Sequence, residues 1–385
     1  MKKFFIVFTL QTCLGCIFFA GAFAEEGVTV TEIRLGMVNA QTGPASGLGT
    51  GMKTGVEAVF NEINGKGGIN GRKINLLIAD DGYEPDKTVD QTLKMVEENK
   101  VFALVGYVGT PTANAAIPIV KETKVPLVGL FTGAMSLRQP VTPQIINIRA
   151  SYDDEAEKLV DSFLKAGAKK FAVFYQDDGF GLAVLSGTEK ALKKRGMAIV
   201  ASGKFQRNTT AIKAGLASVM TASPDVVIMV GPYTPLAAFI KDARQEGLKA
   251  HLATVSFVGT NNLVDLVGTV GDGVVISQVV PFPWDTGVTI TKECTALVAK
   301  HFPNEKFGYV NFEGCITAKA MVSALEKAGK DLTREGLIKA FEGMQGMDAG
   351  GISFTLGPDD HQASDTVFLT QIKGGKIVPI SSVTK

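Results

Sequence analysis

From Ile33 onward the chain alternates short β-forming apolar runs with amphipathic helical stretches, and this alternation occurs twice, a pattern that few architectures accept. In the first series the runs IRLGMVN, KINLLIAD, FALVGYV and PLVGLF are bounded by Gly, Asp or Pro. Between them lie GMKTGVEAVFNEIN and DKTVDQTLKMVEENK, whose apolar residues recur three and four apart. Continuously apolar strands separated by helices predict a parallel sheet covered on both faces. The second series repeats this with KKFAVFYQDD, AIVASGKF, PDVVIMVG, HLATVSF and GVVISQVV as strands. The predicted fold class is therefore α/β, with two doubly wound Rossmann-like lobes. A helix-rich tract follows QVVPFPWD, and the chain closes with GGISFTLG and DTVFLTQIKGGKIVPI, which alternate as antiparallel strands turned at Gly374-Gly375. No low-complexity tract or flexible linker separates the two series, so several crossings rather than one tether are expected between the lobes.

Residues 1–24 read as a removable export leader: MKK is cationic, FFIVFTLQTCLGCIFF is apolar, and Ala22-Phe23-Ala24 is a small-x-small cleavage pattern. The mature chain then starts near Glu25 and is exported. In a competing reading Leu14-Gly15-Cys16 is part of a lipobox and Cys16 a lipidated terminus, but Cys13 stands where an aliphatic residue is wanted. The whole chain carries 39 Lys and Arg against 38 Asp and Glu, and losing Lys2 and Lys3 leaves one more acid than base. That balance offers nothing to nucleic acid or an anionic membrane surface. About 360 residues exceed one core and fit two domains. Cys294 and Cys315 remain after cleavage and could form one disulfide or stay as two buried thiols. The three histidines, His251, His301 and His361, have no ligand-like spacing to them, so no metal site is expected.

Open parallel sheets bind ligands at the carboxyl ends of their strands. The first such loop, QTGPASGLGTGMKTG, nearly matches two phosphate motifs and fails both. Met52 separates Gly51 from Lys53, which breaks the Walker spacing, and Thr54 stands where a dinucleotide fingerprint needs its last glycine. What remains is a small-residue turn that lets the backbone approach a ligand, followed by a helix N-terminus. In GYVGTPTAN, Gly109 leads into Thr110-Pro111, an N-cap followed by proline. That reading is capping alone; alternatively the Thr110 hydroxyl and the free amides of Thr112 and Ala113 bind a ligand carboxylate. LFTGAMSLR offers Thr132, Gly133 and Ala134 as further backbone partners. On the other side FYQDDGFG supplies Asp177, Asp178 and Phe180, while VGPYTP and SFVGTNN supply Tyr233, Ser256 and Phe257. Strand-end aspartates are more often caps than ligand contacts. Ser151 with Asp154 reads as a capping box, which leaves Tyr152 the ligand-like member of RASYDD. There is no G-x-S-x-G elbow, no H-E-x-x-H and no Cys beside a histidine motif, so catalysis is not expected.

Taken in order, the leader, IRLGMVNAQTGPASGLG, GGINGRKINLLIADDGYEPDKTV, FALVGYVGTPTANAAIPIV, VPLVGLFTGA, FAVFYQDDGFG and AAFIKDARQEG resemble the type I periplasmic solute-binding proteins. The branch they resemble is the leucine/isoleucine/valine-binding one that serves ABC importers. The resemblance implies two lobes joined by three crossovers, residues 31–147 with 280–351 and residues 148–279 with 352–385, closing on a small amino-acid-like or hydrophobic carboxylate. It places the carboxylate-binding hydroxyl on Thr110, backbone contacts at Phe131 to Gly133, a lid aromatic on Phe180, a tyrosine position near Tyr233 and a first-lobe aromatic position on Leu48. It implies a periplasmic monomer without cofactor that serves an inner-membrane permease, or a sensor subunit presenting the same solutes to a membrane kinase. One departure stands out: the acidic residue that holds the ligand ammonium aligns with Ser256. A buried ammonium without a carboxylate is costly. Either Asp177 or Asp178 takes that role or the ligand is not an α-amino acid, and Phe131, Phe180 and Phe257 then suit an apolar or aromatic acid.

Overall fold

The computed structural model describes residues 25–384 and Met1; the export leader and the alternative lipidated Cys16 lie outside the described residues. The first sheet contains β1 (Glu32–Asn39), β2 (Lys73–Asp80), β3 (Ala103–Val105), β4 (Leu127–Val128) and β5 (Ile145–Ile146). All its pairings are parallel, in the order β2-β1-β3-β4-β5. Helices α1 (Ser46–Gly65), α2 (Pro85–Leu93) and α3 (Thr110–Thr123) connect its strands. The chain then passes through α4 (Tyr152–Lys165) into a second sheet. Its parallel part is β6 (Phe171–Gln176), β7 (Ala201–Phe205), β8 (Val226–Val230), β9 (His251–Thr254) and β10 (Val275–Gln278). Helices α5 (Gly179–Lys193), α6 (Lys213–Met220), α7 (Tyr233–Gln245) and α8 (Thr260–Val267) alternate with those strands. The order β7-β6-β8-β9-β10 repeats the arrangement of the first sheet. Each sheet thus has one point where its strand order reverses, and crevices form there. The apolar strands follow from this layering: every residue of β8, VVIMV, is buried between helices.

After β10 the chain returns to the first lobe as α9 (Thr289–His301), α10 (Tyr309–Ala328) and α11 (Arg334–Glu342). Helix α10 packs along α1 at close range. A Cβ added at Gly55 would lie 2.0 Å from the Asn311 carbonyl oxygen, and one at Gly314 would lie 2.4 Å from that of Met52. Glycine is what lets the two backbones approach. Cys294 of α9 and Cys315 of α10 are joined as a disulfide between these helices.

β11 (Met347–Asp348) and β12 (Ser353–Phe354) form a separate two-stranded ribbon, while β13 (Phe368–Lys373) and β14 (Lys376–Ile380) add an antiparallel hairpin to the edge of the second sheet. Two expectations change here. GGISFTLG contributes only the two residues of β12 and does not join the terminal hairpin. Placing the last crossing at 352 is also too early, because Ile352, Phe354, Leu356 and Ala363 pack in the first lobe's core and Asn147 bridges Gln362. The crossing falls between Ala363 and β13. The chain therefore passes between the lobes three times, near 147–151, after Gln278 and after Ala363.

Candidate functional site

The carboxyl ends of the two sets of strands face each other, and the loops that leave them meet. Beyond β1 the small-residue turn is held by Asp80, whose Oδ1 accepts from Gln41 N–H (2.8 Å). Gly49 is required at the start of α1, since a Cβ there would lie 1.9 Å from the Ala40 carbonyl oxygen. This packing brings Leu48, fully buried, against the second lobe: a Cβ on Gly259 would come within 2.6 Å of Leu48 Cδ2. Gly47 N–H donates to Tyr233 Oη (3.0 Å), and Thr234 Oγ1 donates to the Pro44 carbonyl (3.1 Å).

Beyond β3 the N-cap of α3 is Gly109, at φ 101°, rather than Thr110. Glycine is needed there both for that φ and because a Cβ would strike the Tyr83 ring at 2.2 Å. The capping role expected for Thr110 is thereby excluded: its hydroxyl bonds Thr132 Oγ1 instead, at 2.7 Å and fully buried. Phe131, Thr132 and Gly133 follow β4, and Tyr152 N–H donates to the Gly133 carbonyl (2.7 Å), which seats the Tyr152 ring on Gly133. Ser151 and Asp154 form the capping box of α4.

From the second lobe come Phe180, at the start of α5, and Phe257, after β9. Their rings lie 4.4 Å apart, Phe257 meets Phe131 at 5.5 Å, and Phe180 meets Tyr152 at 5.3 Å. Tyr83 completes the group, 6.1 Å from Phe257, with its Oη accepting from Gln176 Nε2 (3.2 Å). All twelve residues singled out as ligand contacts thus lie along one interface between the sheets.

Their chemistry differs in one respect from what the sequence suggested. Asp178 caps α5, accepting from Phe180 N–H (2.9 Å) and Gly181 N–H (3.4 Å), and its other oxygen accepts from Gln176 Nε2 (2.7 Å). Burial pushes its carboxyl above the usual range. Asp177 is half-exposed and paired with Lys204 at 2.8 Å. Neither is a free partner for an ammonium.

The buried charges of the interface are instead Arg149, Glu155 and Glu313, none of which was singled out from the sequence. Arg149 lies on the first crossing, with Nη2 3.0 Å from Glu155 Oε1 and Nη1 3.3 Å from Glu313 Oε1. It also donates to Ser256 Oγ, and its guanidinium lies over the Phe131 ring (5.1 Å) and near that of Tyr152 (5.8 Å). Ser256, in the place of an acid, binds one: its N–H donates to Glu155 Oε2 (2.8 Å) and its Oγ to Oε1 (3.0 Å). Ser277 Oγ donates to Oε2 (2.6 Å). Burial raises the Glu313 carboxyl to about 7, against the attraction of Arg149. The signals were present: Glu155 interrupts the apolar stripe of α4 formed by Tyr152, Ala156, Leu159 and Phe163, and Glu313 is an acid in the apolar first half of α10.

The loop carrying Thr132 is tied to the crossings by Arg138. Its Nη1 donates to the Ala134 carbonyl (3.1 Å), its Nη2 to the carbonyls of Thr132 (3.3 Å) and Arg149 (3.1 Å), and its Nε to Gln362 Oε1 (2.6 Å). Among the described residues there is no group of three or more His, Cys, Asp or Glu able to hold a metal, and no helix long and apolar enough to cross a membrane.

Two sheets that repeat one strand order, with three crossings and facing strand-end loops between them, define a two-lobed α/β protein. The sequence model of the periplasmic binding proteins matches residues 32–376, so the chain belongs to that solute-binding family, in its Leu/Ile/Val-binding-protein-like branch. It is 24% identical over 366 residues to Leu/Ile/Val-binding protein homolog 7 of Brucella abortus, covering 91% of each chain. A possible leucine/isoleucine/valine-binding protein from Rhodopirellula baltica superposes with a TM-score of 0.88 at 33% identity, covering 94% of this chain and 98% of that one. A branched-chain amino acid ABC transporter protein from Thermus thermophilus, solved with bound valine, superposes with a TM-score of 0.81 at 20% identity, covering 91% and 96%. At that identity the likeness is one of fold.

Proposed function

We propose that this chain is the exported solute-binding component of an ABC importer, a monomer that traps a small amino-acid-like or hydrophobic carboxylate solute between its lobes and presents it to an inner-membrane permease. The observation that carries this reading is the meeting of Thr110, Thr132 and Tyr152 hydroxyls with the rings of Phe131, Phe180 and Phe257 at the interface of the two sheets. Polar groups of the first lobe and of the α4 N-terminus hold the head of the solute, and aromatic side chains of the second lobe close over its body. Hinge closure is supported by the three short crossings and by the hydrogen bonds that Tyr233 and Gln176 make to the opposite lobe.

A thermal-shift panel of amino acids, amides and apolar acids tests the proposal. A true solute at about 100 times its Kd adds roughly 2.7 kcal/mol to folded-state stability, a clear rise in Tm. Removing the Thr110 hydroxyl, as Thr110→Ala, is expected to weaken that solute about tenfold or more, since a hydrogen bond to a charged group contributes roughly 1.5–3 kcal/mol. Unchanged affinity contradicts the carboxylate assignment, and a panel with no hit contradicts the proposal.

A further inference from the structure

The polar groups at the interface are unequal in kind: each buried carboxylate is already engaged, while several donors are not. Glu155 receives four hydrogen bonds, from Arg149, from Ser256 N–H and Oγ, and from Ser277 Oγ. Both serines belong to its own lobe, so three of the four persist however the lobes are set. Asp178 is likewise saturated from within its own lobe by Gln176, Phe180 and Gly181. Glu313 is paired with Arg149. Gln176 Oε1 has no partner, but a neutral amide oxygen does not offset a full positive charge.

Donors, by contrast, are left over. Tyr152 is fully buried, and among the described residues nothing meets its Oη with hydrogen-bond geometry, although the Thr132 hydroxyl and the Gly133 backbone lie near it. Thr110 and Thr132 share one of their two hydroxyl protons between them, which leaves the second to donate elsewhere. Arg149 Nε is buried without a partner as well. Buried polar groups are nearly always satisfied, so an unpartnered donor beside another free hydroxyl marks where an acceptor binds.

Resting on the solute-binding reading above, we infer that the solute is an apolar or aromatic carboxylate without an α-ammonium, and that the Tyr152 hydroxyl is one of the groups that bind its carboxylate. The head of such a solute consists only of acceptors, which the Tyr152 and Thr110/Thr132 hydroxyls match. Its body lies against Leu48, Phe131, Phe180 and Phe257, which make no polar demand. An ammonium would enter beside the Arg149 guanidinium with no free carboxylate to neutralise it, and a site that leaves a charge unpaired discriminates strongly against it.

The test is calorimetric titration of the mature protein with two matched pairs: 3-phenylpropanoate against L-phenylalanine, and 4-methylpentanoate against L-leucine. The acid of at least one pair is expected to bind ten-fold or more tightly than its amino acid. An amino acid that binds as tightly as its acid, or tighter, overturns the inference, as does binding of some other amino acid when neither acid binds; both results leave the solute-binding reading intact. No binding by any acid or amino acid overturns both. Tyr152→Phe supplies a second readout. It deletes an unpartnered buried hydroxyl, so the free protein keeps its Tm or gains, while affinity for the acid falls ten-fold or more. Unchanged affinity removes Tyr152 from the site, and a fall in Tm marks its hydroxyl as structural instead.

Discussion

Replacing Arg149 by methionine removes the one cation among the described residues that forms a salt bridge with Glu313, while keeping an apolar side chain of similar length over the Phe131 ring. The two carboxylates are then affected unequally. Glu155 keeps three hydrogen bonds from Ser256 and Ser277. Glu313 loses its paired cation, and breaking a buried pair from one side costs about 3–5 kcal/mol while the carboxylate left behind stays charged. With roughly 2.1 cal/mol/K of unfolding entropy per residue over about 360 residues, that corresponds to a fall in Tm of about 4–7 °C. The loss should depend on pH. Burial already raises the Glu313 carboxyl from 4.5 to about 7, so the folded protein binds a proton there that the unfolded chain has released. Stability from this group is therefore present at low pH and is lost as pH rises from about 4.5 through 7. Without Arg149 the folded value climbs further, so the difference between variant and wild type should be small at pH 5.5, grow as pH rises above about 7 and reach full size only above the variant's own raised value. Thermal unfolding of both proteins across that range measures it, and adding Glu313→Gln to the variant should recover most of the loss at pH 8. A loss below about 1 kcal/mol, or one that is equal at pH 5.5 and pH 8, refutes the assignment of Arg149 as the counter-charge of Glu313.

Two further outcomes follow from the packing. Gly259→Ala adds a Cβ that meets Leu48 Cδ2 at 2.6 Å only while the lobes touch, so solute affinity should fall more than ten-fold while Tm without solute drops only by the few degrees that its φ of 76° entails; equal effects on both would contradict closure at this contact. The Cys294–Cys315 disulfide closes a segment with a separation of 21 residues, which loop entropy values at roughly 3 kcal/mol. Reductant should lower Tm accordingly in the wild type and leave the double Cys→Ser variant unmoved.

The repeated strand-helix alternation made the two sheets legible, because a strand buried on both faces has to be apolar throughout, as β8 is. The ends were less legible. GGISFTLG alternates like a sheet strand, but Gly350 and Gly351, both at positive φ, turn it back onto Met347 and Asp348, and such pairing depends on tertiary contacts. The two-residue β5 was not foreseen, because a strand that short has no period. At the site, residues next to strand ends were found because loop position alone points to them. Arg149, Glu155 and Glu313 were missed because each comes from a different element, a crossing, α4 and α10, and their charges make sense only once those elements meet. Asp178 was legible as an acid at the right strand end, but its two oxygens are consumed by the cap of α5 and by Gln176, which spacing alone does not reveal.

The most direct test of solute capture between the lobes is a crystal structure of the mature protein with the solute found by titration. The predicted result is one solute per chain between the two sheets, its carboxylate within hydrogen-bond distance of Thr110 Oγ1 and Tyr152 Oη and its body against Phe180 and Phe257. A solute seated on an outer face, or one between the lobes with its carboxylate turned away from both hydroxyls, contradicts the account.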